Sequence, residues 1–392
     1  MVAAHLKPGC ETIFCFSHLR WDFVFQRPNH LMVRAAREAN VLYIEEPKVA
    51  EADKLYFSEE AAGPIRRLIP HIPAGQSPIL GQAKLIEDLL RRVPGRKIGW
   101  FYTPLALRFL THLSQKSRRG FAAPAPGRFD VTVYDCMDDL AGFEGADPEM
   151  RALEDRLLGL ADVVFTGGRS LYERLAPRRA DVHLEPSSVD VAHFAQARSW
   201  SHAPPSDQAA IPGPRLGWFG VIDERMNLAL LAQAADLRPA WNFIMLGPTA
   251  KIDAASLPQR RNIHWLGPKD YQALPGYLAG WDCGIMPFAL NAATAHISPT
   301  KTPEYLAAGT PVVSTPVRDV VSPWGKAGLV AIARNALEFV EAAQTVMSRP
   351  RQPWLGAVDA ALADLSWDRT WARMAKALAT VDRAAPTRRS VA

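Results

Sequence analysis

The chain has 392 residues, 48% of them hydrophobic and 22% charged, and a formal net charge of +5. These proportions describe a globular protein with room for two or three domains. The mild positive charge suits an anionic ligand or a membrane surface; with no dense basic run interleaved with aromatics, it excludes nucleic acid as a partner.

The first residues lack a basic segment followed by a long apolar one. No run of about 18 apolar residues occurs further on, so neither a leader nor a bilayer span is expected and the cytoplasm is the expected location. "TIFCFS" (12–17) predicts a short buried strand. "RPNHLMVRAARE" (27–38) predicts a helix with Leu31, Met32 and Ala35 on one face. "NVLYIEEP" (40–47) predicts the next strand, stopped by Pro47. Strand, helix and strand in that order are the signature of a parallel sheet. Residues 51–96 predict short strands in "LYFS" and "IRRLIP" and an amphipathic helix in "QAKLIEDLLRRV". Further strands are predicted at 97–104, 131–139, 162–168 and 182–188, with helices at 148–161 and 170–176.

Composition then changes. "QARSWSHAPPSDQAAIPGP" (196–214) is dominated by Pro, Ser, Ala and Gly, as in an interdomain linker. After it the alternation restarts, with strands at 215–221, 241–248, 262–268 and 282–288 and helices at 227–239, 270–281, 336–348 and 366–381. The fold class expected is α/β: two Rossmann-like domains facing across a cleft, an acceptor-side unit over 1–195 and a donor-side unit over 215–365. The helix at 366–381 is expected to cross back to the first domain, ahead of a disordered basic tail over 382–392. Ligands of open parallel sheets sit beyond the carboxyl ends of the strands, and two facing sheets make a cleft there. The four cysteines are scattered without metal-ligand spacing; Cys15, Cys136 and Cys283 lie in apolar runs and read as reduced core thiols.

The most informative stretch is "HISPTKTPEYLAAGTPVVST" (296–315). Ser298 before Pro299 suits a helix N-cap, and Thr302 before Pro303 offers a second start. Amide N–H groups and the dipole of the helix start favour an anion around Ser298, Pro299, Thr300 and Thr302, and Lys301 adds a full charge suited to phosphate. Glu304, one turn further in, would be repelled by phosphate and suits hydroxyl donors, of which a ribose offers two. Acidic residues also occupy first turns simply to complement the dipole, and that reading stays open.

This stretch resembles the donor-binding signature of GT-B glycosyltransferases, in particular the retaining family 4 group. The resemblance implies that Glu304 corresponds to the second glutamate of a Glu-x7-Glu pattern, which contacts the nucleotide ribose. The first, which faces the transferred sugar, is replaced here by His296. "GWFGVIDERMN" is similar to the family's Gly-Arg-x-x-x-x-Lys-Gly region and implies phosphate contacts from Gly220 and Arg225. "PSSVDVAHF" is similar to the segment that closes the first domain, with Ser187 and Ser188 replacing Asn-Gly.

A nucleotide-sugar donor needs its diphosphate stabilised as the glycosidic bond breaks, a task suited to Arg225, Lys301 and the helix start. No Asp-x-Asp occurs, so transfer without metal or other cofactor is expected, with retention of configuration implied by the family. Candidate catalytic groups are His18 after the first strand and Asp135 and Asp138 after "VTVY", each with a structural reading alongside: loop hydrogen bonding for His18, capping for Asp138. Arg20 and Arg27 are candidates for phosphate or for surface roles. The helix with Leu85, Ile86, Leu89 and Leu90 flanked by Lys84, Arg91, Arg92, Arg96 and Lys97 reads as a core-facing helix or as one resting on the inner face of the cytoplasmic membrane. The expected partners are a UDP- or GDP-linked sugar and a glycan or lipid-linked acceptor. The expected function is retaining glycosyl transfer in cell-surface polysaccharide or glycolipid synthesis. The alternatives are a nucleotide-sugar epimerase or hydrolase, or a non-catalytic sugar-nucleotide binding module.

Overall fold

The computed structural model describes residues 6–116 and 129–381; the predicted tail over 382–392 lies outside them. Among the described residues, the first sheet contains β1 (Thr12–Phe16), β2 (Asn40–Ile44), β3 (Lys48–Val49), β4 (Tyr56–Ala62), β5 (Ile65–Ile72), β6 (Lys97–Phe101), β7 (Val131–Cys136), β8 (Val163–Thr166) and β9 (Val182–Leu184). Their order is β3-β5-β2-β1-β6-β7-β8-β9, parallel except where β4 folds back antiparallel on β5. The second sheet contains β10 (Arg215–Phe219), β11 (Asn242–Leu246), β12 (Ile263–Gly267), β13 (Cys283–Met286), β14 (Val312–Ser314) and β15 (Val330–Ile332) in the order β12-β11-β10-β13-β14-β15, all parallel.

The helices are α1 (Arg27–Ala35), α2 (Pro78–Arg92), α3 (Leu107–Lys116), α4 (Met150–Leu160), α5 (Arg169–Leu175), α6 (Val191–Ala195) and α7 (Ser206–Ala209), followed by α8 (Leu228–Leu237), α9 (Leu274–Leu278), α10 (Lys301–Ala307), α11 (Arg318–Val320), α12 (Ala336–Ser348), α13 (Arg351–Leu362) and α14 (Trp367–Val381). Every residue of β1, β2 and β7 is buried, as expected of parallel strands covered on both faces. The pleat sends alternate residues of β1 to opposite cores. Phe14 and Phe16 join α2 and α4 on one side, while Ile13 and Cys15 join α1 and α14 on the other. Thus α14 does cross back: after α13 completes the second core through Trp354, Val358 and Leu362, Trp367, Trp371, Met374 and Leu378 pack into the first.

The 196–214 stretch is packed onto the second domain rather than left as a free tether. Trp281 donates to the Gln208 side-chain oxygen at 2.8 Å, and the Gln208 amide donates to the Tyr277 carbonyl at 3.0 Å. On α2 the stripe of Ile86, Leu89 and Leu90 is buried in the core beneath the first sheet, with Lys84, Arg91 and Arg92 exposed. Three of the four residues of the predicted stripe thus face the core, while Leu85 is half-buried. No helix among the described residues is long and apolar enough to cross a membrane. Cys15, Cys136 and Cys283 are buried free thiols, and burial pushes both Cys136 and Cys283 up to about 12.

Two expectations from the sequence are corrected here. Arg27 does not reach the surface: it is 1% exposed and grips Asp135, itself 0% exposed, with Nη2 to Oδ1 at 2.8 Å and Nε to Oδ1 at 3.0 Å, while also lining the smaller of the two cavities described below. Its Nη1 donates to the Glu185 carbonyl at 2.8 Å, and the Glu185 carboxylate accepts from Arg373 Nε on α14 at 2.8 Å. Asp135 therefore sits under the crossing helix as the counter-ion of a buried cation, with no free carboxylate to offer a substrate. Arg20 is similarly engaged, donating to Glu45 Oε2 at 3.0 Å and to the Glu46 carbonyl at 2.6 Å.

Removing one partner of a buried pair strands the other's charge, at a cost of about 3–5 kcal/mol. Arg27→Ala should lower unfolding free energy by about that amount in urea titrations. A loss below about 1 kcal/mol would mean that Asp135 escapes to water in the variant.

Candidate functional site

Both sheets send the carboxyl ends of their parallel strands toward one gap. Two adjoining cavities lie there. The larger, about 140 Å³, is lined by Phe25, Gly220, Gly247, Lys269, Tyr271 and Glu304 among others. The smaller, about 80 Å³, is lined by Asp138, Ser187, Trp218, Ser298 and Pro299 among others. Gln26, Val221, Arg225, Thr300 and Lys301 line both, so two cations stand on the shared wall.

The helix entrance is built differently from either expected start. α10 begins at Lys301 with Thr300 at its N-cap, midway between the Ser298 and Thr302 alternatives, and no side chain caps it. The expected stop holds: the helix ends before Gly309, whose φ is +73°. Ser298, Pro299 and Thr300 face the gap. Thr302 does not: it is 0% exposed and its hydroxyl donates to Met286 Sδ at 3.5 Å.

Lys301 reaches the gap through space left by a missing side chain. Gly220 has φ +129°, and a Cβ there would collide with Lys301 Cε and Nζ. Gly247, at the matching end of β11, has φ +140°, and a Cβ there would collide with the Gly220 carbonyl oxygen. The ends of β10 and β11 thus approach so closely that Gly247 has no room for a side chain, while at Gly220 the positive φ favours glycine and the Lys301 tip fills the space. Lys301 Nζ lies 4.6 Å from the Trp218 ring centroid, a cation–π contact in a desolvated place. Burial pushes its pKa down to about 8, with Arg225 adding to the fall. Glu304, 4% exposed, is pushed upward by burial and pulled back by Lys301 and by a hydrogen bond from Thr300.

Arg225 is pinned by Asp223, with Nη2 to Oδ2 at 2.6 Å and Nε to Oδ1 at 3.0 Å, so part of its charge is already balanced. Its guanidinium carbon lies 5.2 Å from the ring centroid of Phe143 on the first domain, and Lys251 Nζ lies 4.5 Å from the same centroid. Asp138 faces these cations from the first domain. Burial raises its pKa, and Arg225 and Lys301 oppose the rise.

His18 lies near the gap but outside the lining of both cavities. Burial pushes it down to about 4, with Lys251 and Arg225 adding, and its Nδ1 is buried without a hydrogen-bond partner. His296 is likewise outside both linings, among the charges of Asp139, Arg174, Arg318 and Asp319; burial lowers its pKa and its Nδ1 also lacks a partner. The structure therefore brings together Gly220, Arg225, Ser298, Pro299, Thr300, Lys301, Glu304 and Asp138, and leaves Asp135 and Thr302 in the core. Sequence reasoning passed over Gly247, although "MLGP" after β11 repeats the strand-then-glycine pattern of "WFG" after β10. Trp218, Asp223 and Tyr271 carried no signal beyond being apolar, acidic or aromatic. No group of three or more His, Cys, Asp or Glu among the described residues is placed to hold a metal ion.

Comparison with known proteins agrees with this layout. Residues 213–349, which carry the glycine pair, Arg225 and α10, match the family Glycosyl transferases group 1. Over 206 residues the chain is 29% identical to the "Putative teichuronic acid biosynthesis glycosyltransferase TuaH" of Bacillus subtilis (strain 168), covering 48% of this chain and 51% of that protein. The match thus spans about half the length of that relative. Among solved structures, "Trehalose-6-phosphate from E. coli bound with UDP-2-fluoro glucose" superposes with a TM-score of 0.69 at 12% identity, covering 96% of this chain and 100% of that one. The sucrose-phosphate synthase of Thermosynechococcus elongatus gives 0.67 at 14% identity, covering 96% and 100%. At such identities the likeness is one of fold.

The glycine pair yields a direct test. Gly247→Ala must displace the β10–β11 loop or hold alanine at a forbidden φ, a penalty of about 1–3 kcal/mol. Thermal unfolding should show a lower midpoint than for the parent; an unchanged midpoint would show that the loop relaxes freely.

Proposed function

We propose that the chain, whose residues 213–349 match the family Glycosyl transferases group 1, is a GT-B glycosyltransferase of the family 4-like group that transfers a sugar from a nucleoside-diphosphate sugar to a glycan or lipid-linked acceptor, with retention and without a metal ion. The observation that carries this reading is the position of Arg225 and Lys301 on the wall between two compartments, one bearing Glu304 and the other Asp138. A diphosphate at that wall would put its nucleoside on the Glu304 side and its sugar on the Asp138 side. The UDP-2-fluoro glucose named for the E. coli structure of the same fold and the teichuronic acid biosynthesis named for the Bacillus subtilis relative support the reading.

In this mechanism the glycosidic C–O bond breaks as negative charge builds on the leaving diphosphate. Lys301 and Arg225 stabilise that charge in a partly dry site, where one preorganised donor is worth about 3 kcal/mol, or roughly 10²-fold in rate. The acceptor hydroxyl adds from the same face and gives its proton to the leaving phosphate. Asp138, its carboxyl raised by burial, faces the sugar side and orients hydroxyls there. Glu304 accepts hydrogen bonds from the ribose hydroxyls. His18, neutral near pH 7 because its pKa is depressed to about 4, serves as a hydrogen-bond partner rather than a charge. Cell-surface polysaccharide or glycolipid assembly is the process in which we place this activity.

Calorimetry with UDP and GDP tests the donor site, and failure of both to bind would overturn the proposal. Glu304→Ala should weaken the nucleotide that binds by about tenfold, the worth of hydrogen bonds to a charged group. Bound diphosphate raises the Lys301 pKa above its free value of about 8. Affinity should therefore be full below pH 8 and decline as pH rises through that value, whereas Lys301→Arg, always charged, should remove the decline. Transfer should persist in EDTA; its abolition would refute the metal-free route. Nucleotide binding without transfer to any acceptor would favour a binding module.

A further inference from the structure

Two large apolar side chains of one loop between β1 and α1 are left exposed, Phe23 at 39% and Phe25 at 41%. The root of this loop is fixed. Trp21 N donates to Glu45 Oε1 at 2.9 Å, the Trp21 ring packs edge-on against Tyr43 at 4.9 Å, and Asn29 Nδ2 donates to the Trp21 carbonyl at 3.0 Å. A loop so anchored holds its tip in place, and the tip enters the second domain. Phe23, Val24 and Phe25 line the cavity that holds Glu304. The Phe25 ring lies 4.7 Å from the Tyr271 ring, and Tyr271 is in turn stacked on His193 at 4.5 Å and 12°.

Away from Glu304, Lys269 and the shared wall of Gln26, Arg225, Thr300 and Lys301, the side chains lining this compartment are largely apolar or aromatic. Phe219, Leu246, Pro248, Pro268 and Leu274 are among them. Lys269, the cation on that side, is committed to the Leu266 carbonyl at 2.7 Å and to Asp207 at 2.9 Å. The Tyr271 hydroxyl is buried without a hydrogen-bond partner. Exposed aromatic faces beside a carboxylate fit the heteroaromatic end of a nucleoside, whose π-face stacks whatever its edge pattern.

We infer that Phe25 is a positioning residue for the donor nucleobase, which stacks against it with Tyr271 behind, so that base binding draws on both domains at once. This rests on the donor-site proposal. Because Phe25 belongs to the first domain and Tyr271 to the second, a base stacked there touches both domains. Stacking carries no edge readout, so the effect extends to UDP and GDP alike.

The test measures affinity of the full-length protein for UDP, GDP and inorganic pyrophosphate in Phe25→Ala, Phe25→Leu and Phe25→Tyr. Phe25 is too exposed for its loss to unfold the chain, and thermal midpoints verify this. Phe25→Ala and Phe25→Leu should weaken whichever nucleotides the parent binds by about tenfold, leave pyrophosphate within about twofold, and be rescued by Phe25→Tyr. Unchanged or tighter nucleotide binding in Phe25→Ala would overturn the inference, showing a ring that obstructs the site. An equal loss for pyrophosphate would overturn it too, since Phe25 would then act on the phosphate wall. If the parent binds no nucleotide, the donor-site proposal itself falls and takes this inference with it.

Discussion

Two parallel sheets can share one ligand only if their carboxyl edges are held together, and the buried pair of Arg27 and Asp135 lies beneath α14, the helix that leaves the second domain and packs on the first. The guanidinium bridges the end of β7 to the Glu185 carbonyl after β9, and Glu185 passes the connection to Arg373 on α14. α14 belongs by sequence to the end of the chain and by packing to the first domain. Trp367 stacks on His30 at 4.5 Å and 9°, and Trp371 lies 5.9 Å from Trp100. A desolvated ion pair is a weak source of stability but a strict one of geometry, since its hydrogen bonds fail with small displacement. It suits a joint that must keep one arrangement.

The gap held in this way is electrostatically prepared. Two cations facing an empty cleft would repel each other, and neither here is left bare. Arg225 shares its charge with Asp223, and Lys301 rests on the face of Trp218 with Asp138 and Glu304 nearby. These acids act as counter-ions to the two cations. The direction of each shift follows from that sharing: burial drives Lys301 down and Glu304 and Asp138 up, while their mutual attraction opposes all three shifts. A site balanced in this way can bind a doubly charged ligand without a large rearrangement of its own dipoles.

The glycines at 220 and 247 show how local backbone choices serve this balance. They let two strand ends close on each other and leave room for a lysine from a third element. The departure at His296 is accommodated differently. It lies among Asp139, Arg174, Arg318 and Asp319, near the other domain, outside the lining of both compartments. Sugar contacts at that position are thus not a simple exchange of one side chain for another.

Much of this protein was determined by the sequence on its own. Strand and helix periodicity placed the two α/β units, Gly309 stopped α10, and the charge order around Lys301 and Glu304 picked out two side chains that line one cavity. These are short-range signals, carried by neighbours within a few turns or strand repeats, and they survive without knowledge of what packs against them. Tertiary structure alone decided the rest. Arg27 meets Asp135 across 108 positions of sequence. The stripe on α2 turns inward, Thr302 turns from the gap to Met286, and Phe25 meets Tyr271 from the other domain. Which of several identical charges is buried, and which aromatic is left at an edge, depends on contacts between distant elements, and one-dimensional patterning does not encode them.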